Sequence, residues 1–318
     1  MLVVPVCAYL MTLSDRNDLA HGAYAALATP RRTSAPEPDT AAFLDYVDTV
    51  VRAGVDGLVL FAATGEFVHF DLVDRIRTLK MAIRRSRAPV LVNVSHSTLD
   101  GALALAFDAI DAGAAGLMLL PPYFYRYGQD EIHEFYLRFR SEISNDVPVY
   151  LYNLPSCTNE ISPPLVAELL ATGDFAGMND ASGDWNYFES LIQLPQRPQV
   201  QLLIGNERLY LRGRKGGAAG CVSGVAAAVP ELLVAMERAI RSQCDDRANL
   251  LDRYLQEFVD RIERLPANLG IKNTAIARGW KFNHFAVPLS PATRAEQDDF
   301  CRWVRDWLPA VLKECSRA

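Results

Sequence analysis

The chain has 318 residues, of which 50% are hydrophobic and 22% are charged, and its formal net charge is −6. This composition excludes a disordered chain and is typical of one large α/β domain or two small ones. The negative charge argues against a nucleic-acid-binding protein, because such proteins need a clustered cationic surface. The basic cluster at Arg84, Arg85 and Arg87 is interpreted as a solvated helix end rather than a binding patch.

Residues 1–20 are predicted to form an N-terminal arm. Its apolar run, Leu2 to Met11, is too short to span a bilayer, and no cationic stretch precedes it. We expect the arm to pack on the body or on a neighbouring subunit, with weak membrane association as the alternative, and we expect no membrane partner. The six cysteines form no CxxC pair, which favours reduced thiols and a cytoplasmic location.

A short phrase recurs along the chain and predicts repeated helix–strand junctions. Each copy places small residues next to glycines and is followed by an apolar segment; the copies are Ala53–Gly57, Ala112–Gly116, Gly173–Gly177 and Gly216–Gly220. Glycine enters the left-handed conformation at a helix end without steric cost. Each phrase therefore predicts the end of a helix, a tight turn and then a buried strand.

Eight strands are predicted, beginning near residues 24, 57, 89, 116, 147, 177, 199 and 220. Their spacing is about that of one strand–helix unit, and their continuous apolar runs are typical of parallel strands buried on both faces. Helical periodicity lies between them. Eight such units favour a closed (β/α)₈ TIM barrel over residues 21–230, followed by a C-terminal helical extension over residues 231–318.

Polar phrases stand at the C-terminal ends of these strands, where a barrel places its site. They are Thr64-Gly65-Glu66, Pro122-Tyr123-Phe124, Tyr152-Asn153-Leu154-Pro155, Asn179-Asp180-Ala181-Ser182-Gly183-Asp184 and Ser223-Gly224. In this order and at these spacings the chain resembles the family of dihydrodipicolinate synthase and N-acetylneuraminate lyase, the pyruvate-dependent class I aldolases. The resemblance extends from about Gly22 to Leu308.

The resemblance implies a specific chemistry at these positions. In the family a lysine at the end of the sixth strand forms a Schiff base with pyruvate or another 2-keto acid. The tyrosine of the Tyr-Asn-x-Pro phrase, here Tyr152, protonates and orients the intermediate, and a backbone cup after the second strand holds the carboxylate. The implied substrate-binding residues are Ala63, Thr64, Gly65, Phe124 and Ser223.

The sequence departs from the family at the lysine position, which is Asn179. An amide nitrogen is not a nucleophile, because its lone pair is delocalised into the carbonyl, so it cannot form an imine. A relocated Schiff-base lysine is not expected, because no lysine falls at the C-terminal end of a predicted strand. The lysines are Lys80, Lys215, Lys272, Lys281 and Lys313.

Three further departures accompany Asn179. Ala63 replaces the first threonine of the second-strand phrase, Phe124 replaces a tyrosine of the proton relay, and Cys157 replaces an arginine that holds a distal carboxylate. Four coordinated changes indicate natural divergence rather than an engineered knockout.

Each candidate also has a structural interpretation. Tyr152 could equally be a buried tyrosine whose hydroxyl is satisfied by the backbone. Glu66 is expected to brace its loop by bonding backbone amides, and His69 and His96 are expected to be surface or supporting groups rather than catalysts. A divalent metal could use donors at the strand ends, but no local motif such as HExxH supports one, so neither metal nor cofactor is predicted. The donors are Glu66, His69, His96, Asp180, Asp184 and Glu207.

Two functions remain open at this point. In the first, which we favour, the protein binds a small carboxylate such as a 2-keto or hydroxy acid and acts as a lyase or hydratase without an imine. Tyr152 is then the acid/base, and Asn179 donates a hydrogen bond to a carbonyl oxygen. In the second, the chain is a catalytically silent homologue that serves as a binding or assembly partner. The resemblance also implies a homo-tetramer or dimer.

Overall fold

The computed structural model describes residues 21–33, 35–144, 146–194, 200–282 and 285–317. The predicted N-terminal arm therefore lies outside the described residues. Among the residues that are described, no helix has the length and apolar character that a membrane span requires.

Eight parallel strands close into a barrel in chain order, with the first strand paired to the last. This confirms the predicted TIM barrel. The strands are β1 (Gly22–Ala26), β2 (Gly57–Leu60), β3 (Val90–Asn93), β4 (Gly116–Leu119), β5 (Val149–Asn153), β6 (Gly177–Asp180), β7 (Gln201–Ile204) and β8 (Gly220–Ser223).

Helices connect the strands and then continue beyond the barrel, as predicted. Those within the barrel are α1 (Thr40–Arg52), α2 (Leu72–Arg85), α3 (Leu99–Ala112), α4 (Gln129–Ser141), α5 (Pro163–Thr172), α6 (Trp185–Ile192), α7 (Tyr210–Gly216) and α8 (Val225–Ala228). The C-terminal extension is α9 (Pro230–Arg241), α10 (Asp245–Ile262), α11 (Leu269–Ala277) and α12 (Pro291–Cys315). The division between barrel and extension at residue 230 stays a prediction.

The recurring glycines adopt the conformation that the sequence predicts. Gly54, Gly113, Gly173 and Gly217 have φ angles of 93°, 90°, 84° and 111°, all in the left-handed region. Each follows a helix and reverses the chain toward the next strand. A side chain there would be strained, which explains why the phrase recurs at these junctions.

Four of the eight strands begin at the predicted residue and the other four differ by one or two residues, for an identifiable reason at two of them. Pro89 and Pro148 lack an N–H, so they cannot donate to a neighbouring strand, although their carbonyls accept from Leu58 and Leu117. Strands β3 and β5 therefore begin at the residue that follows each proline. The first strand begins two residues before the predicted Tyr24.

An aromatic cluster holds the extension together. Phe258 of α10 stacks on Trp307 of α12 at a centroid distance of 5.0 Å, and Trp303 lies 5.1 Å from Trp307. The buried ring area fixes α12 against α10. Between these helices, α11 runs past the C-terminal ends of the strands, and its Ile271 reaches the site described next.

Candidate active site at the carboxyl ends of the strands

A cavity of about 280 Å³ opens at the C-terminal ends of the strands, where barrel enzymes place their chemistry. Residues within β1, β5, β6 and β8 and residues that follow β2 and β7 contribute to its wall, together with the C-terminal extension. The lining residues are Ala26, Ala62, Ala63, Thr64, Tyr152, Leu154, Ser156, Asn179, Ala181, Gly205, Asn206, Glu207, Val222, Gly224, Val225, Ile262, Ala267, Asn268 and Ile271.

The register between β5 and β6 brings the two predicted catalytic residues together. Tyr152 pairs with Asn179, and the next pair is Asn153 with Asp180. Because side chains alternate along a strand, the two pairs point in opposite directions. Tyr152 and Asn179 face the cavity, whereas Asn153 Nδ2 donates to Asp180 Oδ1 at 2.9 Å behind the strands.

The Asn179 side chain is fully buried, and neither its Nδ2 nor its Oδ1 has a hydrogen-bond partner within the described part of the chain. Buried amides are normally paired, because an unmade hydrogen bond costs about 1–3 kcal/mol. Gly205 leaves the space in front of this amide, since a Cβ there would lie 2.8 Å from Nδ2. The donor and the acceptor are thus available to a ligand.

Tyr152 is 3% exposed. Burial raises the pKa of its phenol above the usual 10.0, the neighbouring Cys157 and Glu207 add to that rise, and the backbone amide of Ala63 opposes it. The phenol therefore keeps its proton at neutral pH and is able to donate it.

The turn after β2 places two residues of the predicted cup at the cavity and one behind it. Ala63 and Thr64 line the cavity, and Gly65 does not. The N–H of Gly65 donates to the carbonyl of Ala62 at 2.9 Å, so it is occupied, whereas the N–H of Thr64 has no backbone partner among the described residues. Gly65 packs closely, since a Cβ would lie 3.1 Å from the Leu27 carbonyl oxygen.

Helix α11 and the residue before it hold this turn from outside. Asn268 Nδ2 donates to the carbonyls of Ala63 at 3.1 Å and Thr64 at 2.9 Å. Lys272 Nζ, in a side chain that is 1% exposed, donates to Glu66 Oε2 at 2.6 Å. Glu66 thus braces the turn, as expected, although through an ion pair rather than through backbone amides.

None of the five lysines, all of which lie in the described chain, lines the cavity. Lys272 is the one that contacts the β2 turn, and burial lowers its pKa while Glu66 opposes that shift. Its ammonium is directed at Glu66, so it is not presented to a ligand carbonyl.

The remaining predicted residues lie at or beyond the edge of the site. Ser223 does not line the cavity, but its Oγ donates to Glu207 Oε1 at 2.7 Å. Phe124 is 86% exposed at the rim, with a φ of 82°, and its ring packs edge-on against Tyr125. The sequence indicates Glu207 only as a candidate metal donor. It does not predict Asn268, because the contacts of this residue are to residues distant in sequence.

The candidate metal donors do not gather into a cluster of three among the described residues. Asp180 accepts from Asn153 and Ser182, and Asp184 caps the start of α6. His96 Nδ1 lies 2.9 Å from Thr98 Oγ1, and its pKa is lowered by burial and by Arg75. Neither it nor His69 lines the cavity.

A second cavity, of about 330 Å³, lies at the opposite end of the barrel, where α1 and α2 end. It is lined by Arg52, Arg84, Arg85, Arg87, Asp48 and Val51. Arg85 is paired with Asp48 at 2.5 Å. This is the basic cluster noted in the sequence, and it is remote from the strand ends, where barrel enzymes place their chemistry.

A family profile described as the dihydrodipicolinate synthetase family matches residues 20–306. The chain belongs to this family. A relative from Halobacterium salinarum, an uncharacterized DapA-like lyase, is 30% identical over 266 residues, covering 83% of this chain and 84% of the relative. A 4-hydroxy-tetrahydrodipicolinate synthase from Haloarcula marismortui is 27% identical and covers 92% and 94% of the two chains. The predicted resemblance is confirmed.

Solved structures agree on the fold of this lyase-family member. A dihydrodipicolinate synthase superposes with a TM-score of 0.83 at 21% identity, covering 91% of this chain and 99% of its own. A prophage protein of the same family from E. coli K12, in complex with pyruvate, gives 0.84 at 21% identity over 91% and 98%. At this identity the likeness establishes the TIM barrel.

Proposed function

We propose that the protein binds a small 2-keto or hydroxy acid in the cavity at the strand ends and acts on it as a lyase or hydratase without forming an imine. The observation that carries the proposal is the Asn179 amide, which is fully buried, faces the cavity and has no hydrogen-bond partner among the described residues. A ligand carbonyl would accept from its Nδ2, and a ligand hydroxyl would donate to its Oδ1.

The remaining groups fit the same ligand. The N–H of Thr64 would bind the carboxylate beside Ala63, with Gly65 shaping the turn and Ser223 acting through Glu207. Tyr152 would exchange a proton with the carbonyl oxygen as acid/base. The pyruvate-bound relative supports a ligand of this class.

We propose in addition that the protein is a homo-oligomer, either a dimer or a tetramer. Phe124 and Tyr125 are 86% and 66% exposed at the rim of the barrel, which supports a contact with another subunit. Phe124 would then contact a neighbouring subunit's ligand rather than its own. The cytoplasmic location stays a prediction.

Calorimetric titration with a panel of 2-keto and hydroxy acids tests the proposal. We expect micromolar binding of at least one acid and about tenfold weaker binding of that acid by Asn179→Ala. In a separate assay, turnover of the bound acid should be lost in Tyr152→Phe. Tyr254→Phe is the matched control, because this tyrosine lies on α10 and does not line the cavity. Borohydride with pyruvate should leave no adduct on the protein.

The alternative, a catalytically silent homologue that serves as an assembly partner, makes a different prediction. Drift of the cavity would leave no affinity for any acid of the panel. Failure of every acid to bind the folded protein would therefore support that alternative and contradict our proposal.

A further inference from the structure

Glu207 is the one ionisable carboxylate that faces the cavity, and no side chain with a positive charge lines the cavity within the described chain. Glu207 is half-buried. Two buried glutamates carry a cationic partner: Glu66 pairs with Lys272 at 2.6 Å, and Glu237 pairs with Arg214 at 2.8 Å. Among the described residues no such ion pair involves Glu207. Its charge is thus directed at whatever occupies the cavity.

One oxygen of this carboxylate is fixed and the other is available. Ser223 Oγ donates to Oε1 at 2.7 Å, and the N–H of Val225 donates to the same oxygen at 3.1 Å. Gln256 Nε2 holds the backbone carbonyl of Glu207 at 3.2 Å. The described residues provide no hydrogen-bond donor to Oε2, so this oxygen is oriented by its surroundings and has capacity to accept a proton.

Three consecutive strands deliver the groups that a proton transfer needs. Tyr152 comes from β5, Asn179 from β6 and Glu207 from the end of β7, and all three line the cavity. An anionic base, a protonated phenol and an amide donor around one small space are suited to removing a proton beside a carbonyl.

We propose that Glu207 is the catalytic base of this cavity and removes a proton from the carbon next to the carbonyl of a bound 2-keto acid. The inference rests on the proposed function and names the step that replaces imine chemistry. The C–H electron pair forms the new carbon–carbon double bond, and the carbonyl π pair moves to oxygen. That oxygen accepts the Tyr152 proton and a hydrogen bond from Asn179.

The step balances without a further reactant. Reversal returns the phenol proton to Tyr152 and a solvent-exchanged proton to carbon, which gives exchange. Some ligands carry a hydroxyl on the carbon beyond the one that loses its proton. In these, the π electron pair of the enol forms a new carbon–carbon double bond and expels that hydroxyl. It leaves as water with the proton that Glu207 had taken, and Tyr152 recovers its own proton from the enol oxygen.

Proton exchange on pyruvate in D₂O, followed by NMR, tests this assignment. The wild type should exchange the methyl protons faster than buffer, and Glu207→Gln should slow the enzymatic exchange at least about 100-fold. The amide oxygen of glutamine still accepts from Ser223 and Val225, so folding and pyruvate affinity should be retained. Glu207→Asp should restore part of the rate, because it restores a carboxylate. Glu168→Gln is the control, since that side chain is 66% exposed on α5.

The pH profile provides a second readout. The pKa of Tyr152 lies above 10.0, so its proton is not lost below that pH, and exchange should not decline between neutral pH and pH 10. If Glu207 had only a structural role, the Glu207→Gln variant would have lower thermal stability, but its folded fraction would exchange the pyruvate protons at the wild-type rate.

The outcomes separate the two proposals. The base assignment is overturned if pyruvate binds and Glu207→Gln exchanges protons at the wild-type rate. It is also overturned if pyruvate binds and no form of the protein exchanges protons. In both cases the ligand proposal stands. Failure of pyruvate and every other panel acid to bind overturns both.

Discussion

We propose that the residue at position 179 determines which chemistry this barrel performs. Asn179 occupies the inward register position beside Tyr152, is fully buried and lines the cavity. An amide there holds a carbonyl oxygen through a hydrogen bond, whereas an amine would attack the carbonyl carbon. The difference between the two chemistries begins with this side chain, which the departures at Ala63, Phe124 and Cys157 accompany.

Replacement of this residue by lysine should therefore introduce Schiff-base chemistry. We expect Asn179→Lys to form an adduct with pyruvate that borohydride traps, because burial favours the neutral, nucleophilic amine. Mass spectrometry of the intact protein measures the adduct.

Asn179→Met is the matched control for this substitution, since methionine has similar length and no amine. A folded Asn179→Lys variant that forms no adduct would contradict the placement of the sixth strand's side chain next to the ligand carbonyl.

At the scale of the element, α11 governs the β2 turn through groups far away in sequence. Lys272 and Glu66 are 206 residues apart and form a nearly solvent-free ion pair, with side chains 1% and 8% exposed. Removing one partner of such a pair leaves a buried charge uncompensated, whereas removing both relieves the penalty.

We expect Lys272→Met to lower the free energy of unfolding by about 3 kcal/mol, and Lys272→Met with Glu66→Gln to recover most of that loss. Urea denaturation measures both. Lys80→Met is the comparison, because Lys80 pairs with Asp108 and both side chains are 31% exposed. This substitution should lower the free energy of unfolding by less than about 1 kcal/mol. The account would be contradicted if the double variant lost as much free energy of unfolding as Lys272→Met and Glu66→Gln lose together as single variants.

The elements themselves could largely be predicted, because their signals are local. The glycine phrases at Gly54, Gly113, Gly173 and Gly217 specify the helix ends, and apolar runs specify the strands. Asn179 could be placed opposite Tyr152 because both stand at motif positions.

The contacts that complete the cavity could not be predicted. Asn268 reaches Ala63 across 205 residues, and the orientation of the Glu207 carboxylate depends on Ser223 from the next strand. Neither contact has a periodic or motif signature. The roles assigned to the site residues stay predictions.

At the scale of the whole molecule, the barrel rim should mediate self-association. We expect sedimentation of the wild type to give a dimer or tetramer, and Phe124→Ser with Tyr125→Ser to shift it toward monomer, because both rings are exposed and apolar. Val287→Ser, at a residue 64% exposed elsewhere, is the control. A wild-type monomer at micromolar concentration would contradict the oligomer.

The place of α11 means that the eight strands do not by themselves make a complete site. Asn268 and Ile271 belong to the cavity wall, and Lys272 neutralises the carboxylate under the β2 turn. A fragment truncated after α10 would keep every strand and still expose Glu66 without its cation. The segment beyond the barrel, through α11, is thus a constituent of the pocket.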